Sequence, residues 1–164
     1  MNKTKKLTYT AVLIAVGTVT SPFVSIPIGF ARIFPVQHFI NVISAVLLGP
    51  WYALAQAFGT SFLRNIFGTG SVFAFPGSMI GAFLAGIVYQ RTKKLPFTTG
   101  AEVIGTGLIG ALLTYPLARL VLGEATALFA FVPSFILSAL VGGALAYLLL
   151  RAFERRKVLE RFQK

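Results

Sequence analysis

Cysteine is absent from the 164 residues, which excludes disulfides, thiolate metal sites and a cysteine nucleophile. Acids are nearly as scarce, with four Asp and Glu in all and a single His. So few carboxylates and imidazoles leave little for metal binding or general acid–base chemistry, and no metal, cofactor or catalytic residue is expected. Charge as a whole is low: 12% of residues are charged and 56% hydrophobic, against roughly 25% charged in a soluble domain. Mean hydropathy is +0.82. Such a chain lacks the polar surface to coat a water-soluble globule. The bilayer is the solvent that fits.

What charge there is has one sign. The net charge of +11 would suggest nucleic acid in a soluble chain, but its placement argues otherwise. Lys3, Lys5 and Lys6 precede the first apolar block, Arg91, Lys93 and Lys94 sit between two others, and Arg151 through Lys164 close the chain. That is the positive-inside pattern of cytoplasmic loops, with attraction to anionic headgroups as its further consequence. No nucleic-acid partner is expected. The N-terminal apolar stretch runs past Gly17 to Pro22 without an Ala-x-Ala-like site, so a retained first helix is expected rather than a cleaved signal.

A spanning helix needs about 17–25 residues. Six helices are expected, at about 6–20, 35–48, 51–67, 76–90, 97–122 and 128–153, in a single domain over 1–164 with a basic tail at 154–164. Pro35 suits a first helical turn, and Pro116 inside the fifth helix predicts a kink. Six crossings put both termini and the Arg91–Lys94 turn on one, cytoplasmic face; five or seven would not. The fold class expected is therefore an all-α integral membrane protein, a six-helix transmembrane bundle. Helices 2 and 3 are short, about 22 Å at 1.5 Å per residue. Non-helical backbone at membrane depth survives only beside protein or a water-filled cavity. The loop 21–34 is therefore expected to dip over a recess on the outer side.

Small pairs recur four residues apart: Ala11 and Ala15, Ala53 and Ala57, Gly77 and Gly81, Ser138 and Gly142. Such pairs let helices approach closely in lipid, within the bundle or against a partner membrane protein. The string Gly105-Thr-Gly107-Leu-Ile-Gly110 spells the dinucleotide pattern, but it follows no strand and lies inside an apolar helix, so its structural context is missing. No G-x-x-x-x-G-K-[ST] loop occurs, so ATP hydrolysis by that route is excluded.

Polar groups within a bilayer are costly and face the bundle interior or a cavity. Gln37, Asn41 and Ser44 form one stripe on helix 2, with His38 beside them. Arg64 and Asn65 end helix 3, Ser78 opens helix 4, and Tyr115 and Arg119 lie toward the same level of helix 5. Aromatics crowd that level: Phe34, Phe73, Phe75, Tyr115 and Phe131. An aromatic-lined recess with a few convergent polar groups suits a small molecule; interhelical bonding plus snorkelling arginines is the alternative. Glu102, sharing a face with Thr106, either reaches water near its helix end or is a buried acid paired with His38, an arginine or a ligand.

Four strings carry a family likeness: FPVQHFIN at Phe34–Asn41, LGPWYA at Leu48–Ala53, LRNIFGTG at Leu63–Gly70 and FPGS at Phe75–Ser78. Together they resemble the ThiW family, the substrate-binding S-component of an energy-coupling factor (ECF) transporter for the thiazole precursor of thiamine. The resemblance implies a six-helix, multi-pass protein of a bacterial or archaeal cytoplasmic membrane. It implies a non-enzymatic subunit of an ABC-type importer that binds hydroxyethylthiazole, or a closely related thiamine-pathway compound, from outside. It implies as partners a transmembrane coupling protein (T component) and two ATPase subunits, docked through Ala11 and Ala15. The substrate-binding candidates are Phe34, Gln37, His38, Asn41, Arg64, Asn65, Phe75, Ser78, Glu102, Thr106 and Tyr115. A neutral ring needs stacking and one or two hydrogen bonds; a phosphorylated one would favour Arg64 and Arg119 as a clamp. The competing class is a self-contained carrier coupled to protons through Glu102 or His38, disfavoured by the lack of an evident internal repeat. A membrane enzyme is disfavoured by the missing paired carboxylates.

Overall fold

A computed structural model describes residues 1–28, 31–122 and 131–163. Among these residues the chain forms six long helices. They are α1 (Lys3–Thr20), α2 (Pro35–Leu48), α3 (Pro50–Ile66), α4 (Ala74–Thr92), a fifth helix in three pieces, and α7 (Val132–Arg155). The fifth comprises α5 (Leu95–Ile104), a π-helical segment (Gly105–Gly110) and α6 (Ala111–Leu122). A start of the sixth helix at Leu128 lies outside the described residues.

Local chemistry sets these ends. The Asn2 side chain accepts from Lys5 N at 2.9 Å and caps α1, satisfying a donor the first turn leaves orphaned. Proline occupies the first turn of α2, α3, α5 and α7, where its missing N–H costs nothing. Gly49 alone links α2 to α3, with φ at 91°, a conformation that favours glycine.

Two features differ from the sequence expectation. The loop after α1 contains a two-stranded antiparallel ribbon, β1 (Ile26–Ile28) with β2 (Ala31–Ile33), pairing Ile26 with Ile33. Its isoleucines are good strand formers, and Ile33 is buried. The basic tail is not simply solvated. It breaks at Lys157, with φ at 55°, into α8 (Val158–Gln163). There Leu159 is buried in the core, and the Phe162 ring meets Tyr9 edge-on at 5.7 Å.

Polar side chains are buried beside apolar ones, while many large apolar side chains face outward. Gln56, Thr60, Thr98, Glu102 and Thr114 are all 0% exposed, while Leu120, Trp51 and Leu148 are 86, 70 and 64% exposed. An apolar exterior with its polar groups turned inward is what a lipid solvent selects. Among the described residues two helices are long and apolar enough to cross a membrane, Leu95–Leu120 and Val132–Arg155, and Pro35–Leu48 is apolar but shorter.

α2 and α4 form the centre of the bundle, and α1 lies at its edge against α2 and α3. Most small pairs are spent inside. Ala53 and Ala57 pack with Ala45, Ala82 and Ala85. Gly142 meets the backbone of Pro35 and Phe39, and Gly77 and Gly81 meet the π segment. Ala11 and Ala15 are exposed. The contact between α4 and the π segment is backbone on backbone. A Cβ on Gly105 would stand 2.8 Å from Gly81 Cα, and one on Gly110 would collide with Gly77 Cα.

Gly110→Val should therefore destabilise the bundle by about 1–3 kcal/mol, the usual cost of overpacking. Gly100→Ala enters open space and should stay within about 0.5 kcal/mol. Thermal unfolding of the two variants in detergent checks this; equal midpoints would refute the close-contact account.

Candidate functional site

At the end of the bundle that carries the β ribbon, the helices part around a cavity of about 500 Å³. Its wall draws on β2, α2, α3, α4, the π segment and α7. β2 gives Arg32, with Phe34 just beyond it; α2 gives Gln37 and His38, and α3 gives Arg64. The α3–α4 connection and the start of α4 give Ser71, Phe73, Ala74 and Ser78, and Thr106 comes from the π segment. The start of α7 supplies Phe131, Ser134, Phe135 and Ser138. Most of this lining is aromatic or hydroxylic.

Two hydrogen-bonded groups hold the wall. Near α3, Arg64 donates through Nη1 to Gln37 Oε1 and through Nη2 to the Thr69 carbonyl at 2.9 Å. Its guanidinium lies 4.5 Å from the centre of the Phe34 ring, a cation–π distance. Gln37 Nε2 donates to Ser61 Oγ at 3.0 Å, and Ser61 Oγ lies 3.0 Å from Ser78 Oγ. This chain of side chains fixes α2, α3 and α4 at one height.

The second group forms the floor. Glu102 does not reach water: it is 0% exposed, and its Oε1 lies 2.8 Å from His38 Nδ1. Thr106 Oγ1 at 3.0 Å and Asn41 Nδ2 at 3.4 Å approach the same oxygen. An ionised carboxylate only accepts, so His38 Nδ1 is then the donor, and Nε2 is the ring nitrogen left for a ligand. Asn41 also donates to the Ser78 carbonyl at 3.2 Å. Asn41 and Glu102 stand behind the wall; His38 and Thr106 are in it.

Phe34, Gln37, His38, Arg64, Ser78 and Thr106 thus line one cavity. Asn65, Phe75 and Tyr115 do not. Asn65 Nδ2 donates to Ser61 O in its own helix at 2.8 Å. Phe75 tilts against Phe58, ring centres 5.7 Å apart. Tyr115 Oη accepts from Arg119 Nη1 at 3.5 Å, and Arg119 is exposed on α6. Arg32, not Arg119, is the second arginine at the cavity. Ser71, Ala74, Ser134 and Phe135 escaped the sequence reading. The signal for two of them was available: Phe131, Ser134, Phe135 and Ser138 fall at i, i+3, i+4 and i+7, one helical face.

Among the described residues no three His, Asp or Glu side chains gather as metal ligands. The arrangement can stack a flat ring and bond it at a few points, and among the described residues it presents no nucleophile with an adjoining base.

Over residues 7–156 the sequence matches the profile of the ThiW family, thiamine-precursor transporter protein. The chain belongs to that family. ThiW membership makes it a thiamine-precursor transporter protein of a membrane. Neither the curated proteins nor the solved structures returned a match.

In this ThiW-family chain the His38–Glu102 pair should behave as a coupled unit. His38→Leu leaves a buried carboxylate without its main partner and should cost about 3–5 kcal/mol, whereas replacing both residues with Leu should recover much of that loss. A double-mutant cycle on unfolding measures it; simple additivity of the two losses would contradict the pairing.

Proposed function

We propose that this chain is the substrate-binding S-component of an ECF-type importer and that its cavity holds hydroxyethylthiazole or a closely related thiamine-pathway compound. The observation that carries this is the cavity wall. Phe34, Phe73, Phe131 and Phe135 offer ring faces, with Phe73 and Phe131 centred 5.1 Å apart. Gln37, His38 and the serine hydroxyls offer the few directed bonds that a heteroaromatic nitrogen and a single hydroxyl require. A cavity of about 500 Å³ lies within the roughly 300–1,000 Å³ of small-molecule sites.

In this proposal all six helices cross a bacterial or archaeal cytoplasmic membrane. Both termini and the Arg91–Lys94 turn face the cytoplasm, and the ribbon end faces outward. Energy comes from a T component and two separate ATPase subunits. The docking face is the edge helix α1, where Ala11 and Ala15 are exposed alongside Val12, Val16 and Val19 at 50, 45 and 62%. That strip has small residues to admit a partner helix closely.

A second reading, a self-contained proton-coupled carrier, is favoured by one observation, the buried His38–Glu102 pair on the cavity floor. Uptake into liposomes by the purified chain alone, driven by a proton gradient, would decide for it.

Calorimetry on the purified chain should show tight binding of hydroxyethylthiazole without ATP and much weaker binding of the pyrimidine precursor. Equal or tighter pyrimidine binding would sink the substrate assignment. Ala15→Trp should leave thiazole affinity nearly intact while abolishing ATP-dependent uptake with the coupling module. Normal transport and co-purification of that variant would move the docking face off α1.

A further inference from the structure

We infer that the cavity prefers its ligand in an anionic form, as a phosphate monoester lodged against Arg64 and Arg32. This rests on the thiazole reading of the cavity and specifies the charge state in which the ring is held best.

Arg64 is 2% exposed, and its described contacts are all with neutral groups: Gln37 Oε1, the Thr69 carbonyl and the Phe34 ring. Its Nε has no hydrogen-bond partner. Two ion pairs occur among the described residues, His38–Glu102 and Arg151–Glu154, and neither includes Arg64. A guanidinium does not shed its proton in a protein. A full positive charge is thus held out of water beside a cavity, with dipoles and a ring face around it and no counter-charge among the described residues. Removing a cation from water is unfavourable unless an anion and good hydrogen bonds compensate it. Nothing described in the wall supplies that anion, since Glu102 stands behind the wall and its engaged oxygen faces His38, Asn41 and Thr106.

A second guanidinium shares the space. Arg32, on β2, lines the same cavity and is exposed, so it can follow a ligand without losing internal bonds. Among the described residues the lining holds two arginines and no acid, which makes it electropositive. Planar guanidinium forks match oxyanions and make charge-assisted bonds roughly twice as strong as neutral ones. A phosphate monoester carries about −1.5 to −2 charge and three acceptor oxygens, enough for both arginines and the neighbouring Ser71 hydroxyl. The hydroxyethyl arm is where such an ester would form on the thiazole. The aromatic side of the wall keeps the ring, and the arginine side takes the phosphate.

The test is calorimetry on the full chain, purified in a detergent free of phospholipid, with hydroxyethylthiazole and its phosphate monoester as the two probes. The ester should bind about tenfold tighter or more, as expected when hydrogen bonds to charged groups are added. Arg32→Gln and Arg64→Gln should each shrink the ester-to-alcohol affinity ratio. Arg32 is exposed on the ribbon, so its variant carries the test if Arg64→Gln fails to fold. An alcohol that binds as tightly as the ester, or a ratio unmoved in Arg32→Gln, would overturn the inference and leave the thiazole site standing. A chain that binds neither probe would remove the thiazole reading, and this inference with it.

Discussion

In hydrocarbon a buried carboxyl group has no water to turn to, and Glu102 depends on two helices that bring polar groups to its Oε1, while its Oε2 has no partner among the described residues. His38 and Asn41 come from α2, and Thr106 comes from one turn further along the fifth helix. Each donor has a second duty. His38 and Thr106 are also cavity wall, and Asn41 ties α2 to the Ser78 carbonyl of α4. The floor of the site and the junction of three helices are therefore one network. Partly satisfied polar networks are costly in a medium of low dielectric, so α2 cannot rotate without stranding the buried polar groups it holds.

That network requires the fifth helix to lie very near α4, and the glycines make this possible. Gly105 and Gly110 bring the π segment onto Gly81 and Gly77 backbone to backbone. Thr106 Oγ1 then lies 3.0 Å from both the Gly77 carbonyl and Glu102 Oε1, and its single proton serves one of them at a time. π turns inside α-helices cluster at functional sites, and this one sets a wall residue. A string that spells a nucleotide motif serves instead as a packing surface.

The sequence made some of this legible and not the rest, for a geometric reason. Counting residues along each helix gives a side chain's height in the bilayer, and polar residues of a membrane helix point inward. Gln37, His38, Arg64 and Ser78 therefore could be placed together. Rotation about each helix axis is fixed only by packing, which one sequence does not contain. Asn65, Phe75 and Tyr115 stand on the same helices as wall residues yet turn elsewhere, to Ser61, Phe58 and Arg119. Conversely, Ser134 and Phe135 were missed although their spacing with Phe131 and Ser138 puts them on one helical face, because an apolar helix offers many such faces and only packing selects one. The ribbon was hidden because three-residue strands between prolines read as loop. The π segment was hidden because a glycine-rich helix does not announce i→i+5 bonding.

The distribution of arginines follows from the same solvent. Twelve of the 15 basic residues crowd the ends of α1, α4 and α7 and the tail, leaving Arg32, Arg64 and Arg119 for the opposite half. Of these, Arg119 is exposed and free to snorkel, and Arg32 is exposed at the cavity. Arg64 alone is enclosed, wedged between Phe34, Gln37 and Thr69. Topology can be served by an arginine at any exposed position, so topology does not account for burying this one. Its bond to Gln37 does fix α2 against α3, but an amide or hydroxyl could do that without a charge. On the reading proposed above the charge answers an anion in the cavity, and the wall around Arg64, more than its aromatic side, then sets what this transporter accepts.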